Sequence, residues 1–109
     1  YNNLIKQQLL EISQDVLQKY GAVSEPIVKA MAKAAQQKFD SDWAIAVSGI
    51  AGPEGGTTLK PVGLVHIAIA SAEMCVGFHE NFGPYRSRSD IQQLTVIHSL
   101  NRLRLLLLA

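Results

Sequence analysis

The residues best suited to chemistry lie in one segment, Ser48-Gly-Ile-Ala-Gly-Pro-Glu-Gly-Gly-Thr-Thr-Leu-Lys-Pro-Val-Gly63. Gly49, Gly52, Gly55 and Gly56 allow positive φ and let backbone N–H groups converge on an anion with no side chain in the way. Ser48 and Thr57 add hydroxyl donors, and Lys60 adds positive charge. The spacing is not that of a P-loop, because no Gly-Lys-Ser/Thr follows, and it is not the dinucleotide G-x-G-x-x-G. Composition leaves two readings open here, a ligand-binding loop and a plain long connection. A second group is Tyr85-Arg-Ser-Arg88, just ahead of a C-terminal helical pattern. Arginines there oppose the helix macrodipole at a cost of roughly 0.3–1 kcal/mol each. Holding a phosphate or carboxylate would explain them, and a solvated basic turn is the competing reading. Tyr1 and Lys6 form a third group. Their spacing is about 500° on a regular helix, so they act together only if Tyr1 lies before the helix proper. Taken alone, they read as a half-buried tyrosine and a surface lysine.

Other reactive side chains carry less. His66, His79 and His98 are scattered, with no His/Cys/Asp cluster at metal-ligand spacing, so no metal is expected. Cys75, between Met74 and Val76, reads as packing rather than as a nucleophile.

The elements that must position these residues follow from periodicity. Leu4, Ile5, Leu9 and Leu10 mark a short amphipathic helix over 2–10. Ser13 caps a second, with Val16 and Leu17 inward and Gly21 just past its end. Ser24 is the expected N-cap of a longer helix from Glu25 to about Phe39, with Pro26 in the first turn, where a missing N–H costs nothing. Ile27, Met31, Ala34, Ala35 and Phe39 fall on one face of it. Trp43–Ser48 is continuously apolar and reads as a strand buried on both faces. Val62–Ser71 is a second strand, with Val65, Ile67 and Ile69 alternating against Leu64, His66, Ala68 and Ala70. Residues 73–82 are its hairpin partner, without a strong turn signal to fix the register. Ser89-Asp-Ile-Gln92 resembles a capping box, and the last helix runs to about Leu107. Leu103 and Leu105–Leu108 read as core or as a dimer face.

Composition bounds the answer. The 109 residues suffice for one hydrophobic core, a single domain over 1–109. Apolar residues make up 48% and charged residues 17%, with mean hydropathy +0.11, too hydrophobic for a disordered tail. Apolar runs such as the five residues Leu105–Ala109 are too short to cross a bilayer, so no membrane partner is expected. A net charge of +1 gives no basic footprint, so no nucleic-acid partner is expected either. A lone cysteine rules out an internal disulfide framework, and a reducing, cytoplasmic setting is the default. The chain opens at Tyr1 inside a patterned segment and reads as a fragment.

The Gly-rich segment, continued by Lys60-Pro-Val-Gly63, resembles the signature of the CinA C-terminal domain family, the nicotinamide-nucleotide amidohydrolases. Tyr1-Asn-Asn-Leu-Ile-Lys6 is similar to the family's tyrosine–lysine segment, and Tyr20–Ser24 with Met31-Ala32 resembles its helix before the central strand. Phe82-Gly83, Arg88 and Leu100-x-x-Leu103-Arg104 resemble its last third. The resemblance implies a three-layer α/β/α sandwich, here lacking its N-terminal portion. It implies hydrolysis of nicotinamide mononucleotide to nicotinate mononucleotide and ammonia, with no metal or organic cofactor. It also implies a small-molecule nucleotide as partner and a homodimer. Tyr1 and Lys6 match the activating pair, and Ser48 matches a hydroxyl position usually held by threonine. Gly49, Gly52, Gly55, Gly56 and Thr57 match the loop around the substrate. Arg88 matches an arginine that would contact the nucleotide, with Arg86 as the other alignment, and Gln92 stands where a further arginine is expected. The family's nucleophilic serine lies in a Ser-Cys-Thr-Gly-Gly-type segment that the 109 residues do not contain, so this chain alone is expected to be inactive. A non-catalytic nucleotide-binding or scaffold paralogue is the alternative.

Overall fold

The structure is a computed structural model that describes Gln18, Gly21 and residues 23–50, 60–83 and 85–108. The helices expected over 2–10 and after Ser13 lie outside the described residues. Five elements follow in the order α1 (Glu25–Phe39), β1 (Ala44–Gly49), β2 (Leu64–Ala70), β3 (Cys75–Asn81) and α2 (Arg88–Leu108). The three strands form one antiparallel sheet in the order β1-β2-β3. The chain has the expected α/β class. It divides into two compact units, Tyr1–Ser48 with His66–Phe78 and Gly49–Val65 with His79–Ala109.

In the first unit, α1 begins where expected. Ser24 is extended, and its carbonyl accepts the first helical bond from the Val28 N–H at 3.1 Å. Its hydroxyl does not cap the helix but donates to the Gly21 carbonyl at 2.8 Å, and Gly21 has φ 77, the left-handed state expected after a helix end. Glu25 in the first turn and Pro26 beside it fit the N-terminus. Asp40 takes φ 48 and ψ 43 to end the helix.

The buried face of α1 is Ile27, Val28, Met31, Ala32 and Gln36, rotated from the expected one. Phe39 is 72% exposed, and Ala34 and Ala35 are only half-buried. Phe39 stands at the C-terminal end of α1, three residues past Gln36, the last buried residue of the helix. Gln36 is buried instead because its amide donates to the Ser41 carbonyl at 2.9 Å, closing the turn to β1. Ile27, Val28, Met31 and Ala32 pack with Ala46, Ala68 and Ala70 as one core cluster. Small residues on the strands let α1 lie close to them. Cys75 packs against that cluster as free thiol, with Sγ 3.7 Å from the Lys29 carbonyl.

The expectation that Trp43–Ser48 is buried on both faces is not met. β1 starts at Ala44, only Ala46 in it is buried, and Val47 is 36% exposed. Among the described residues β1 is an end strand, and its one buried residue, Ala46, packs with α1. β2 is the central strand, and it is β2 that is buried on both faces, from Ile67 to Ala70. The β2–β3 hairpin is set by Ser71. Its N–H donates to the Met74 carbonyl at 2.8 Å, and its hydroxyl accepts from the Glu73 and Met74 N–H groups at 3.3 Å each.

In the second unit, α2 starts at Arg88 and is capped by Ser87, not by Ser89. The Ser87 hydroxyl accepts from the Asp90 N–H at 3.1 Å and its carbonyl from the Ile91 N–H at 3.0 Å. Ser87→Ala is therefore expected to cost about 1 kcal/mol in a denaturation curve and Ser89→Ala close to nothing. The reverse order would restore the capping box to 89–92.

Ile91 and Ser99 are the buried residues of α2, and Leu103 and Leu106 are half-buried. Leu105, Leu107 and Leu108 are 48%, 58% and 72% exposed, so the run 105–108 is not core. Thr95 and Ser99 each return a hydroxyl hydrogen bond to the carbonyl four residues earlier, both at 2.7 Å. Glu80 of β3 accepts from Arg102 at 3.4 Å and lies 3.6 Å from His98 Nδ1. The Phe82 ring meets the His98 ring edge-on at 5.1 Å. No described helix is long and apolar enough to cross a membrane.

Candidate functional site

Ser48 and Gly49 end β1, with Ser48 half-buried and Gly49 exposed. A strand that runs straight into a Gly-rich segment delivers both residues at its mouth. The structure fixes the root of that segment. The Ile50 N–H donates to the Leu64 carbonyl at 2.9 Å, and the Gly63 N–H donates to the Ile50 carbonyl at 2.7 Å. These two bonds hold Ile50 against Gly63 and Leu64 as β2 begins. The Leu64 N–H donates back to the Pro61 carbonyl at 3.1 Å, which turns the chain into the strand.

Gly49 has a packing reason for being glycine. A Cβ there would stand 2.9 Å from Val65 Cγ2 and 3.0 Å from the Leu64 carbonyl oxygen. The absent side chain lets the end of β1 press against β2. Gly63 is more constrained still. Its φ is +94, and a Cβ would fall 2.5 Å from the Gly83 oxygen and 2.7 Å from the Gly83 nitrogen. The Gly63 carbonyl accepts from the Phe82 N–H at 2.9 Å, so the root of the Gly-rich segment is tied directly to the chain that leads into α2.

That chain carries the two arginines. Both Arg86 and Arg88 are exposed. Arg86 Nε donates to the Phe82 carbonyl at 3.1 Å, which holds its guanidinium over the junction. Arg88 is the first residue of α2. Hydrogen bonds thus bring together Ile50, Gly63, Phe82 and Arg86 within one unit, which also contains Gly49, Lys60 and Arg88. Ser48 belongs to the other unit. Tyr1, Lys6, Gly52, Gly55, Gly56 and Thr57 lie outside the described residues. Among the described residues no group of three or more His, Cys, Asp or Glu side chains converges as metal ligands would.

Sequence reasoning missed the parts played by Gly63, Phe82 and Gly83. The signal available was a pair of glycines flanking strands without closing any hairpin, which marks close backbone approach.

Residues 1–107 match the CinA C-terminal domain family. The chain belongs to that family. It is similar to a CinA-like protein of Parasynechococcus marenigrum, 55% identical over 109 residues, which are 100% of this chain and 26% of that protein. It is similarly related to a CinA-like protein of Prochlorococcus marinus, 56% identical over 108 residues, 99% of this chain and 25% of that protein. Among solved structures it is similar to the competence/damage inducible protein CihA from Agrobacterium tumefaciens, with TM-score 0.93 and 36% identity. That match covers 97% of this chain and 64% of the other. A CinA superfamily protein from Escherichia coli matches with TM-score 0.90 and 31% identity, over 97% of this chain and 60% of that one. This CinA domain chain thus spans about a quarter of the length of those curated relatives and under two thirds of those solved chains.

Proposed function

We propose that this chain carries the general base and the substrate loop of an amidohydrolase that converts nicotinamide mononucleotide to nicotinate mononucleotide and ammonia. The observation that carries the reading is the clamped root of the Gly-rich segment, set at the end of the strand that bears Ser48. Backbone N–H groups of such a segment suit a phosphate or a developing oxyanion.

In this reading the nucleophile is a serine outside the 109 residues. Its hydroxyl attacks the carboxamide carbon while Lys6 takes the proton. The tetrahedral intermediate collapses, the C–N bond breaks, and the proton on Lys6 leaves with ammonia. Water then attacks the acyl-serine, its proton passing to Lys6 and on to the serine oxygen as nicotinate mononucleotide departs. Lys6 works as a base only when neutral, so the reading requires surroundings that disfavour its ammonium form. Ser48, Gly49, Gly52, Gly55, Gly56 and Thr57 cradle the substrate, and Arg88 meets its negative charge. The enzyme works in the cytoplasm as a homodimer, without metal or organic cofactor.

A second reading is a binding or scaffold protein of the same family, favoured by Ser48 at a threonine position and Gln92 at an arginine position. One experiment separates them: intact mass of the purified protein, with ammonia release measured on the same sample. A full-length protein that releases ammonia from nicotinamide mononucleotide supports the enzyme. Binding of the nucleotide without release supports the scaffold. Lys6-dependent release from the 11.9 kDa chain by itself would overturn the assignment of the nucleophile to another segment.

A further inference from the structure

We propose that the outward face of α2 joins two copies of this protein, the helices antiparallel across a twofold axis between Ile97 and Leu100. The inference takes from the catalytic reading only its homodimer, and gives that dimer a surface.

A surface helix normally turns its apolar side inward and its polar side to water. The middle of α2 does the reverse. The helix buries Ile91 and Ser99, with Thr95 between them half-buried. Thr95 and Ser99 spend their hydroxyls on carbonyls of α2 itself, so they ask nothing of a neighbouring element. On the other side, Val96, Ile97, Leu100 and Leu107 are all more than half exposed. Ile97, Leu100, Arg104 and Leu107 recur at three- and four-residue spacing, which sets them in one stripe flanked by Val96. Single exposed aliphatic residues are ordinary, whereas a continuous stripe of them marks an interaction surface.

The charges on that stripe say what it meets. Asp90 and Arg104 lie one heptad to either side of Ile97, and both are exposed. Arg104 donates from Nε and Nη2 to Asn101 Oδ1 at 3.2 and 3.0 Å. That acceptor is a neutral amide, so it steers the guanidinium along the stripe without spending its charge. An acid on one side of the centre and a base on the other make the face complementary to itself after a half-turn. In the antiparallel pair Ile97 packs on the partner's Leu100, and Asp90 comes within a helical turn of the partner's Arg104. A parallel pair would set acid beside acid and base beside base, so charge selects the antiparallel one. The opposed helix dipoles favour the same choice.

The test is sedimentation equilibrium of the full-length protein over a concentration series. Wild type is expected to be a dimer. Leu100→Glu places an unpaired carboxylate of each copy in the apolar contact and raises the dimer dissociation constant about 100-fold or more. Asp90→Arg and Arg104→Asp are each expected to raise it about 2- to 30-fold, because a twofold axis makes every pair count twice. Combining them exchanges the signs and returns the constant to near the wild-type value. Both positions are exposed, so this pair of substitutions decides the matter if Leu100→Glu fails to fold.

A monomeric wild type overturns the proposal and the homodimer with it, and leaves the amidohydrolase reading to its own assay. A dimer indifferent to Leu100→Glu and to the charge variants overturns the proposal alone. A Leu100→Glu protein that stays dimeric but melts earlier assigns the face to the rest of the full-length chain, which overturns it too. Charge variants whose effects add rather than compensate overturn the antiparallel arrangement.

Discussion

Gly63→Ala is expected to lower stability by about 2–5 kcal/mol, enough to unfold much of a marginal domain. Two costs add. The residue stands at φ +94, which a side chain disfavours, and its Cβ would lie 2.5–2.9 Å from the Gly83 backbone. Backbone cannot rotate aside as the end of a side chain can. Two other glycines separate the terms. Gly83 has φ +85 with nothing within 4 Å of a built Cβ, so Gly83→Ala carries the strain alone, about 1–2 kcal/mol. Gly77 meets Lys29 Cε at 2.9 Å and Glu25 Cγ at 3.0 Å, the outer parts of two half-exposed, paired side chains that can give way. Gly77→Ala is expected within about 1 kcal/mol of wild type. Urea midpoints of the three variants give the ranking, and a Gly63→Ala midpoint equal to wild type would refute the close contact.

Lys6→Ala in the full-length protein is expected to lower kcat for ammonia release from nicotinamide mononucleotide by about 10²–10⁴-fold, the usual contribution of a positioned general base. KM changes far less, because the lysine acts on a proton in flight rather than on bound substrate. Added small primary amines restore part of the rate if the missing group is an amine base. A variant that keeps more than a tenth of wild-type kcat would remove Lys6 from the proton path. Circular dichroism and a thermal midpoint close to wild type complete the measurement, since a fold defect would lower activity without sparing KM.

Legibility in the sequence followed how local each determinant is. The start of α1 is readable, because Ser24 and Pro26 are signals carried by adjacent residues, and its end falls at Phe39 as expected. Its buried face differs at Phe39, since periodicity extends to the end of the helix while the core it packs on stops at Gln36. The cap at Ser87 was confused with Ser89 because both serines precede the same helical pattern, and only the chain path into α2 separates them. An apolar run such as Ala44–Val47 shows that a strand has few polar groups, not how much of it is covered, so a strand with one buried residue reads as buried on both faces. The Gly-rich segment stood out in the sequence as a candidate loop. What holds it did not, because the Gly63–Gly83 approach and the Phe82 bond join residues about 20 apart with no periodic signature. The expected roles of Tyr1 and Lys6 rest on family resemblance rather than on any spacing in the chain.

The Ile50–Gly63 pair has a consequence for how such a protein diversifies. It is a fixed closure for everything strung between its two members, and closing a flexible chain costs free energy only as the logarithm of its length. Doubling the span between them adds about 0.6 kcal/mol, less than one lost helix cap. Insertions and deletions in that stretch therefore cost the scaffold little. The length of chain between positions 50 and 63 can change and leave the knot at its base unchanged.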